Sequence, residues 1–151
     1  MRAVLQRVSR ASVVVADEVV GSVDRGILVL VAAEDGDGPA DVAALADKLT
    51  GLRLFQDQAG KMNLDIRAAG GDFLVVSQFT LAASLRKGRR PSFNAAARPE
   101  VAEPLVQELM SDLADRGHRV EGGIFGAHMN VHLVNDGPVT FVIDVRDGKV
   151  L

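Results

Sequence analysis

The chain contains no cysteine, tryptophan or tyrosine, and its aromatic content is limited to six phenylalanines. Without cysteine, disulfides, thiol catalysis and cysteine-ligated zinc are excluded. With so few rings, a platform that stacks several single-stranded bases is not expected, although one or two phenylalanines are enough to hold a single base. The chain is therefore poor in conventional catalytic side chains.

The chain also lacks an excess of positive charge and a long hydrophobic run. Its formal net charge is −3, so any contact with RNA requires a local basic patch. No apolar stretch approaches the roughly 18 residues of a membrane span, and residues 1–7 are too polar for a signal peptide. Since 48% of the 151 residues are hydrophobic, we expect one cytoplasmic domain that covers residues 1–151.

The hydrophobic patterns predict a mixed α/β fold with more strands than helices. Helices are predicted at about 40–52 and 104–116, within the order β-β-β-α-β-β-α-β-β-β. The continuous apolar run 26–32 indicates a strand that is buried on both faces. Because two helices cannot cover both faces of so many strands, we expect a layered α/β/β arrangement. In it, mixed sheets pack or curl on each other and both helices lie on the outer face.

Residues 135–138 (Asn-Asp-Gly-Pro) lie between two strand-like stretches, 128–134 and 139–145. Asp-Gly between alternating apolar runs predicts a β-hairpin. Pro138 has no N–H for a sheet ladder, and it restricts the residue before it. A Gly-Pro unit held by two strands is therefore a rigid backbone element that can present carbonyl oxygens to a ligand without any side chain.

Residues 77–80 (Ser-Gln-Phe-Thr) stand where a predicted buried strand, 72–79, gives way to a long loop, 82–100. Hydroxyl, amide and free N–H groups at the carboxyl end of a strand can stabilise an oxyanion. Alternatively, Ser77 and Thr80 only cap the strand end, as such residues commonly do where loops begin. A loop of this length inside a compact domain is usually functional or disordered. Both interpretations of the hydroxyls stay open here.

A nucleophile needs a base within reach, and the chain offers only His118, His128 and His132. His118 follows a glycine that ends the second predicted helix, so it is expected to be exposed. His128 and His132 share one face of a predicted strand with Asn130, which places them on a polar surface. No metal is expected, because no third ligand is evident, and no Ser-His-Asp set can be assembled.

Residues 86–90 (Arg-Lys-Gly-Arg-Arg) form the densest positive cluster in the chain. They indicate contact with phosphate groups, or simply a solvated loop. The run Gly122-Gly123-Ile124-Phe125-Gly126-Ala127 indicates a bulge or loop where the backbone approaches something closely. Phe125 and Met129 are either core residues or the walls of a base-sized slot. An RNA-binding module without catalysis is therefore an alternative to an enzyme.

When its motifs are taken together, the chain resembles the D-aminoacyl-tRNA deacylase family of the bacterial and eukaryotic type. One such motif is a weak signal, whereas all of them in order at matching spacing are highly specific. The matching runs are Gln6-Arg7-Val8, Ala11-Ser12-Val13, Gly60-Lys61-Met62-Asn63-Leu64, Val75-Val76-Ser77-Gln78-Phe79-Thr80-Leu81, Lys87-Gly88-Arg89-Arg90-Pro91-Ser92-Phe93, Phe125-Gly126-Ala127 with Met129, and Val134-Asn135-Asp136-Gly137-Pro138-Val139-Thr140.

The resemblance implies a homodimer that hydrolyses the ester between a D-amino acid and the terminal ribose of tRNA. It implies that glycine is also accepted, including glycine mischarged on alanine tRNA. In the family, the bond that corresponds to Gly137–Pro138 is cis and reaches from one subunit into the active site of the other. Its carbonyls exclude the side chain of an L-amino acid. No cofactor, membrane or DNA partner is expected.

The resemblance also implies roles for single residues. The catalytic set is Ser77, Gln78, Phe79 and Thr80, which faces Gly137 and Pro138 of the partner chain. Arg7 corresponds to the residue that orients the Gly-Pro element. Phe125 and Met129 correspond to residues near the terminal adenine, and Lys87 to a basic residue at the RNA end.

The chain departs from the family pattern at three places. Residues 82–85 read Ala-Ala-Ser-Leu, where many relatives have an early aromatic residue, and Asp-Thr before the basic cluster. His128 replaces a frequent aspartate. These departures concern the RNA end more than the reaction. Two mechanisms are left open: backbone N–H groups around Phe79–Thr80 stabilise the oxyanion while the 2′-hydroxyl of the substrate assists water, or the Thr80 hydroxyl is a nucleophile.

Overall fold

The computed structural model describes residues 1–151 and contains a seven-stranded sheet, a separate two-stranded sheet and two helices. The helices are α1 (Pro39–Gly51) and α2 (Pro99–Asp115). The strands are β1 (Arg2–Val15), β2 (Glu18–Val23), β3 (Gly26–Ala32), β4 (Phe55–Gln56), β5 (Met62–Leu64), β6 (Asp72–Ser77), β7 (Val120–Gly122), β8 (Asn130–Arg146) and β9 (Lys149–Val150). A short 3-10 turn, Phe79–Ala82, follows β6. The predicted mixed α/β fold is confirmed.

The large sheet is organised around β1, which has 14 residues. Along one edge, β1 pairs antiparallel with β8; along the other, its first half pairs with β3 and its second half with β2. β6 and β7 continue the sheet in parallel beyond β3. The parallel step from β3 to β6 requires a crossover connection, and α1 lies within it.

Alternate side chains of the central strands fill two hydrophobic cores on opposite faces of the sheet. One face packs under both helices, where Leu5, Val29 and Val75 join residues such as Leu45 and Leu109. The opposite face forms a smaller core, whose members include Val8, Val13, Leu28 and Leu74. Both faces of β3 are thus buried, as the apolar run 26–32 predicted.

The sheet curls over the smaller core until β2 meets β7. A Cβ added to Gly21 in β2 would lie only 2.3 Å from the carbonyl oxygen of Gly122 in β7. The two backbones can therefore approach this closely only because Gly21 has no side chain. The close approach that Gly122-Gly123 indicated in the sequence is present here. The result is the predicted arrangement of a curled sheet with both helices on one face.

The second helix begins five residues earlier than the predicted start at Pro104. Pro99 takes the first helical position, where a missing N–H costs nothing. Pro104 then lies inside the helix on its exposed side, where it gives up one backbone hydrogen bond. The loop before the helix is correspondingly shorter than 82–100, and bridges Ser84–Ser92 and Glu34–Ala96 fasten it.

The predicted hairpin around residues 136–137 is wrong, because the strands predicted on either side form the single strand β8. Both halves pair with β1, since Asn135 lies opposite Val8 and Thr140 lies opposite Gln6. Between these pairs β8 advances five residues, from 135 to 140, while β1 advances two, from 6 to 8. Three extra residues of β8 therefore form a bulge instead of a reversal. The long β1 explains the difference, because it offers a partner to both apolar runs.

The buried carboxylate of Asp41 fastens the end of the chain to the start of α1. It accepts hydrogen bonds from the N–H groups of Gly38 and Gly148, both at 2.9 Å. Burial raises the pKa of Asp41, but these two bonds, the N-terminal ammonium and Arg146 outweigh it, so the pKa is lowered. A lowered pKa means that the ionised carboxylate stabilises the fold above the pKa of the unfolded chain, and that this stabilisation is lost as the pH falls.

We expect Asp41→Ala to lower the free energy of unfolding at pH 7 by about 2 kcal/mol, because two hydrogen bonds to a charged group are lost. The cost is expected to shrink at about pH 3, because the stabilisation begins to be lost once the pH falls below the pKa of an unfolded aspartate, about 3.9. Denaturant unfolding at both pH values measures the difference. Asp24→Ala, which removes an exposed carboxylate, is the control. An equal cost of Asp41→Ala at both pH values would contradict the expectation.

Candidate active site

The predicted catalytic residues lie at the carboxyl end of β6, where the chain leaves the sheet. The Gln78 N–H donates to the Val31 carbonyl at 2.8 Å, which fixes the chain where it leaves the sheet. Ser77 and Gln78 are half-buried, whereas Phe79 and Thr80 are exposed. Functional groups are often found at the carboxyl end of a parallel strand, because loops rather than strands surround it.

A mostly apolar cavity of about 580 Å³ opens at this strand end. Ser77, Gln78 and Phe79 line it together with Phe125 and Met129. The structure thus brings together, in one cavity, five of the residues that the sequence singled out. Its size and apolar lining suit a base or another flat organic group.

Phe125 and Met129 serve both purposes that the sequence left open. Phe125 packs against the larger core and Met129 against the smaller one, and both also line the cavity. A Cβ on Gly123 would lie 2.5 Å from the Met129 sulfur, so the backbone beside this side chain is closely packed. The two side chains are therefore fixed walls of the cavity.

Thr80 borders a second, more open groove of about 480 Å³ instead of the cavity. Arg2, Val4 and Val142 also line this groove. Phe93 lines both spaces, and its ring packs edge-to-face on Phe79 with the ring centroids 5.0 Å apart. The peptide that joins Phe79 to Thr80 therefore lies between the cavity and the groove.

The hydrogen bonds of this turn leave backbone donors available. The Gln78 side-chain amide donates to the Thr80 hydroxyl oxygen. The N–H groups of Phe79 and Thr80 begin the 3-10 turn, so they have no acceptor inside it, and no side chain caps it. The interpretation of Ser77 and Thr80 as caps therefore has no capping bond to support it. Unpaired N–H groups of this kind can stabilise a developing oxyanion.

None of the three histidines hydrogen-bonds the Thr80 hydroxyl, which accepts a hydrogen bond from the Gln78 amide. His118 is half-buried and not exposed as expected, since its ring packs edge-on against Phe73 at a centroid distance of 5.3 Å. Burial, followed by the nearby Arg67 guanidinium, lowers its pKa. His128 lines the cavity from an exposed position. No group of three side chains is arranged as a metal site.

Gly137 and Pro138 lie in the exposed bulge of β8, and the peptide bond between them is cis. The buried Arg7 lies at the base of this bulge. Its Nε donates to the Asp136 carbonyl at 2.8 Å, and its Nη1 donates to the Leu54 carbonyl at 2.6 Å. Arg7 thus links the bulge to the segment that follows α1.

Within one chain, the bulge and the Phe79–Thr80 turn are separated along β1. Arg2 donates to the Leu81 carbonyl at 3.4 Å, beside the turn, whereas Arg7 donates to the bulge. The five steps of extended strand from Arg2 to Arg7 span about 17 Å. Neither Gly137 nor Pro138 lines the cavity or the groove. The two halves of the predicted site therefore do not meet in a single chain.

Some functional candidates differ from those that the sequence indicated. Lys87 lies in the exposed loop 86–90, outside both the cavity and the groove. Phe93 and Arg98 line the cavity but were not singled out as site residues. Phe93 had one usable signal, its position at the end of the motif that begins at Lys87. Arg98 had none, because it lay inside the predicted loop 82–100, where an arginine is usually just solvated.

The structure thus defines a mixed α/β fold with a curled sheet, an apolar cavity at the end of β6 and an exposed Gly-Pro bulge. Residues 4–144 match the family model described as D-Tyr-tRNA(Tyr) deacylase. The chain belongs to this family. The resemblance inferred from the motifs is thereby confirmed.

Similar proteins named D-aminoacyl-tRNA deacylase occur in Geobacter metallireducens and Chloroflexus aurantiacus. They are 54% and 56% identical to this chain over 95% of its length, and the matches cover 95% and 90% of those proteins. A solved structure described as c-Myc DNA Unwinding Element Binding Protein is 37% identical. It has a TM-score of 0.90 and covers 95% of this chain and 98% of that one.

A second solved structure, described as "Structural Analysis of a probable eukaryotic D-amino acid tRNA deacylase", has a TM-score of 0.80. The match covers 93% of this chain and 97% of that one. Since the sequences are 18% identical, this similarity speaks for the fold alone.

Proposed function

We propose that this chain hydrolyses the ester bond of D-aminoacyl-tRNA and releases a free D-amino acid and tRNA. The observation that carries the proposal is the cavity at the end of β6, found in a chain that matches D-aminoacyl-tRNA deacylases over 95% of its length. A charged tRNA as substrate places the reaction in the cytoplasm, and residues 1–151 act as one domain. No helix of the chain is both long and apolar enough to cross a membrane.

The cavity is proposed to hold the 3′ end of the tRNA. Phe125 and Met129 supply apolar walls for the terminal adenine, whose flat face gains from contact with such side chains. Lys87 and its neighbours in the exposed loop 86–90 supply positive charge for the phosphates of the RNA. In this proposal the cavity contacts the base, and the loop contacts the phosphates.

For the reaction, water adds to the ester carbonyl carbon, and the bond from that carbon to the ribose oxygen breaks. The unpaired N–H groups of Phe79 and Thr80 hold the negative charge that develops on the carbonyl oxygen. The neighbouring 2′-hydroxyl of the substrate assists the water, and the departing ribose oxygen takes up a proton. Such a reaction needs no base from the protein. The Gln78–Thr80 hydrogen bond keeps the turn in shape.

Stereochemical selection is assigned to the carbonyls of Gly137 and Pro138 from a partner subunit. These backbone groups occupy the space that the side chain of an L-amino acid would need, and rejection by a clash requires no favourable contact. Glycine has no side chain, so glycine attached to alanine tRNA passes the same filter. A D-amino acid points its side chain elsewhere and is also accepted.

A second copy of the chain is the proposed source of this element. The groove beside Thr80 is lined by exposed apolar side chains from the sheet and from the neighbouring loop, among them Val142 at 62% and Leu85 at 73%. Exposed apolar patches of this kind commonly mark interfaces. In a two-fold dimer both subunits use the same patch, so each bulge can reach the turn of the other chain. This arrangement brings together the two half-sites that one chain keeps about 17 Å apart along β1.

The direct test is to incubate the protein with D-tyrosyl-tRNA and with L-tyrosyl-tRNA and to follow the loss of the ester. We expect hydrolysis of the D-form only. The competing function is a tRNA-binding module without catalysis, which the charges at 86–90 favour. It would give binding that weakens with salt and no ester loss from either substrate.

Thr80→Ala separates the two mechanisms. We expect this variant to keep D-tyrosyl-tRNA hydrolysis within about tenfold of wild type, because the substitution leaves both backbone N–H groups in place. Single-turnover rates measure the effect, and Thr80→Ser, which retains the hydroxyl, is the matched control. A loss of several orders of magnitude in Thr80→Ala, with activity retained in Thr80→Ser, would instead identify Thr80 as the nucleophile.

A further inference from the structure

The β8 bulge has a neck, where Asn135 and Val139 approach each other. The side chain of Asn135 closes this neck. Its Oδ1 accepts a hydrogen bond from the Val139 N–H at 2.7 Å, and its Nδ2 donates to the Val139 carbonyl at 3.1 Å. The side-chain amide therefore pairs with the backbone of Val139 much as a neighbouring strand would. This pairing fixes the distance between the two ends of the bulge.

The same amide also ties the neck to β1. Asn135 Nδ2 lies 3.1 Å from the Gln6 side-chain oxygen and 3.0 Å from the Thr140 hydroxyl. An amide nitrogen carries two hydrogens, so these two acceptors and the Val139 carbonyl share them. Asn135 thus links the start of the bulge both to the part of β8 that follows it and to β1.

These contacts require asparagine in particular. Aspartate offers the same acceptor but has no N–H to donate, and leucine has neither group. Next to Asn135, Arg7 holds the Asp136 carbonyl at 2.8 Å. Gly137 and Pro138 are themselves exposed, so contacts at the two ends of the bulge set their position.

We infer that Asn135, assisted by Gln6, is a positioning residue for stereochemical selection. This inference rests on the proposed function. Asn135 does not touch the substrate; it holds the Gly137–Pro138 carbonyls at a fixed height above β1. If the neck is released, the bulge can shift and leave room for the side chain of an L-amino acid. The expected consequence is a loss of discrimination before a loss of hydrolysis.

The experiment compares the ratio of D-tyrosyl-tRNA to L-tyrosyl-tRNA hydrolysis rates in wild type, Asn135→Ala and Asn135→Asp. We expect the ratio to fall by about tenfold or more in Asn135→Ala, because immobile groups are needed for rejection by clash. A smaller fall is expected in Asn135→Asp, which keeps the acceptor for the Val139 N–H. Asn130→Ala, on the exposed part of the same strand, is the control and should leave the ratio unchanged.

A ratio that stays within about threefold of wild type in both Asn135 variants would overturn the inference, since a working filter needs its groups held in place. Equal losses of both rates would also overturn it, because they indicate only a structural role. Thermal unfolding checks that the variants fold. Should Asn135→Ala fail that check, Asn135→Asp and Gln6→Leu decide the question by the same ratio. Absence of D-tyrosyl-tRNA hydrolysis in the wild type would instead refute the proposed function.

Discussion

Gly137→Ala is expected to reduce D-tyrosyl-tRNA hydrolysis by about 100-fold or to remove the exclusion of the L-form, because small displacements at a reacting centre have effects of this size. A Cβ at Gly137 would lie 2.3 Å from the Val139 nitrogen and 2.7 Å from the Val139 Cγ2 atom. Since both atoms belong to the neck of the bulge, the bulge has to move. Pro138→Ala is expected to act in the same direction, because alanine lacks the ring that restricts the backbone there.

The fold is expected to survive both substitutions, because Gly137 and Pro138 are exposed. Steady-state rates with D- and L-tyrosyl-tRNA measure the effect, and thermal unfolding measures the integrity of the fold. Gly51→Ala is the matched control, since a Cβ there would meet nothing within 4 Å. Unchanged D-specific turnover in both Gly137→Ala and Pro138→Ala would refute the assigned role of this element.

Phe79→Pro is expected to lower kcat by about 100-fold or more relative to Phe79→Ala, since removal of one oxyanion donor typically has an effect of this size. Both variants lose the aromatic ring that packs on Phe93, but only proline also loses the N–H. The first position of a helical turn tolerates proline. Gln78, the residue before it, already lies outside the helical region at φ −144° and ψ 73°, as a residue before proline requires.

The two substitutions at Phe79 thus isolate a single backbone hydrogen. Single-turnover rates under saturating enzyme report the chemical step. Equal rates in Phe79→Pro and Phe79→Ala would eliminate the Phe79 N–H as an oxyanion donor. If Phe79→Ala already lowers the rate as much as Phe79→Pro does, the loss of the ring and of its contact with Phe93 accounts for the whole effect.

The same variants test the proposed exchange of elements between subunits. A mixture of Gly137→Ala and Phe79→Pro contains heterodimers in which one turn and one bulge are both intact. Random exchange of subunits restores about a quarter of all sites. If each variant alone hydrolyses D-tyrosyl-tRNA about 100-fold more slowly than wild type, the mixture is expected to recover about a quarter of the wild-type rate. Continued inactivity after verified exchange would place the bulge and the turn in the same subunit.

The sequence alone was sufficient for the fold class and for five of the residues that line the cavity. The continuous apolar run in β3 and the four-residue spacing of Leu105, Leu109 and Leu113 reflect burial, which is the strongest signal that a single sequence contains. The motif that ends β6 was placed correctly at the boundary between strand and loop. These features depend on interactions near in sequence or on simple periodicity.

The path of β8 could not be predicted in the same way. Asp136-Gly137 satisfies every local rule for a hairpin, and only the pairing of both flanking runs with β1 overrides it. That pairing joins residues more than 115 positions apart, so no local pattern contains it. The early start of α2 was missed for a related reason: two prolines compete for the first helical position, and the residue pattern alone favoured the later one.

The hydrogen bonds between the Asn135 side chain and Val139 could not be predicted from the sequence either. Asparagine before Asp-Gly is itself a common turn residue, so its side chain gave no sign of a separate task. The separation of the turn from the bulge was equally invisible, because it follows from the positions of Arg2 and Arg7 along β1. A site that is divided between two copies, as proposed for this chain, leaves no trace in the order of residues.

A filter built from main-chain carbonyls has one further property. The atoms that the amino acid meets are the same in every protein with this bulge, whatever side chains surround it. Substitutions around the RNA end, such as Ala82, Ser84 and His128 in this chain, can then alter the grip on a particular tRNA while the preferred enantiomer stays the same. Under the proposed function, most substitutions leave the handedness of the hydrolysed amino acid unchanged. Only the few residues that shape the bulge can change it.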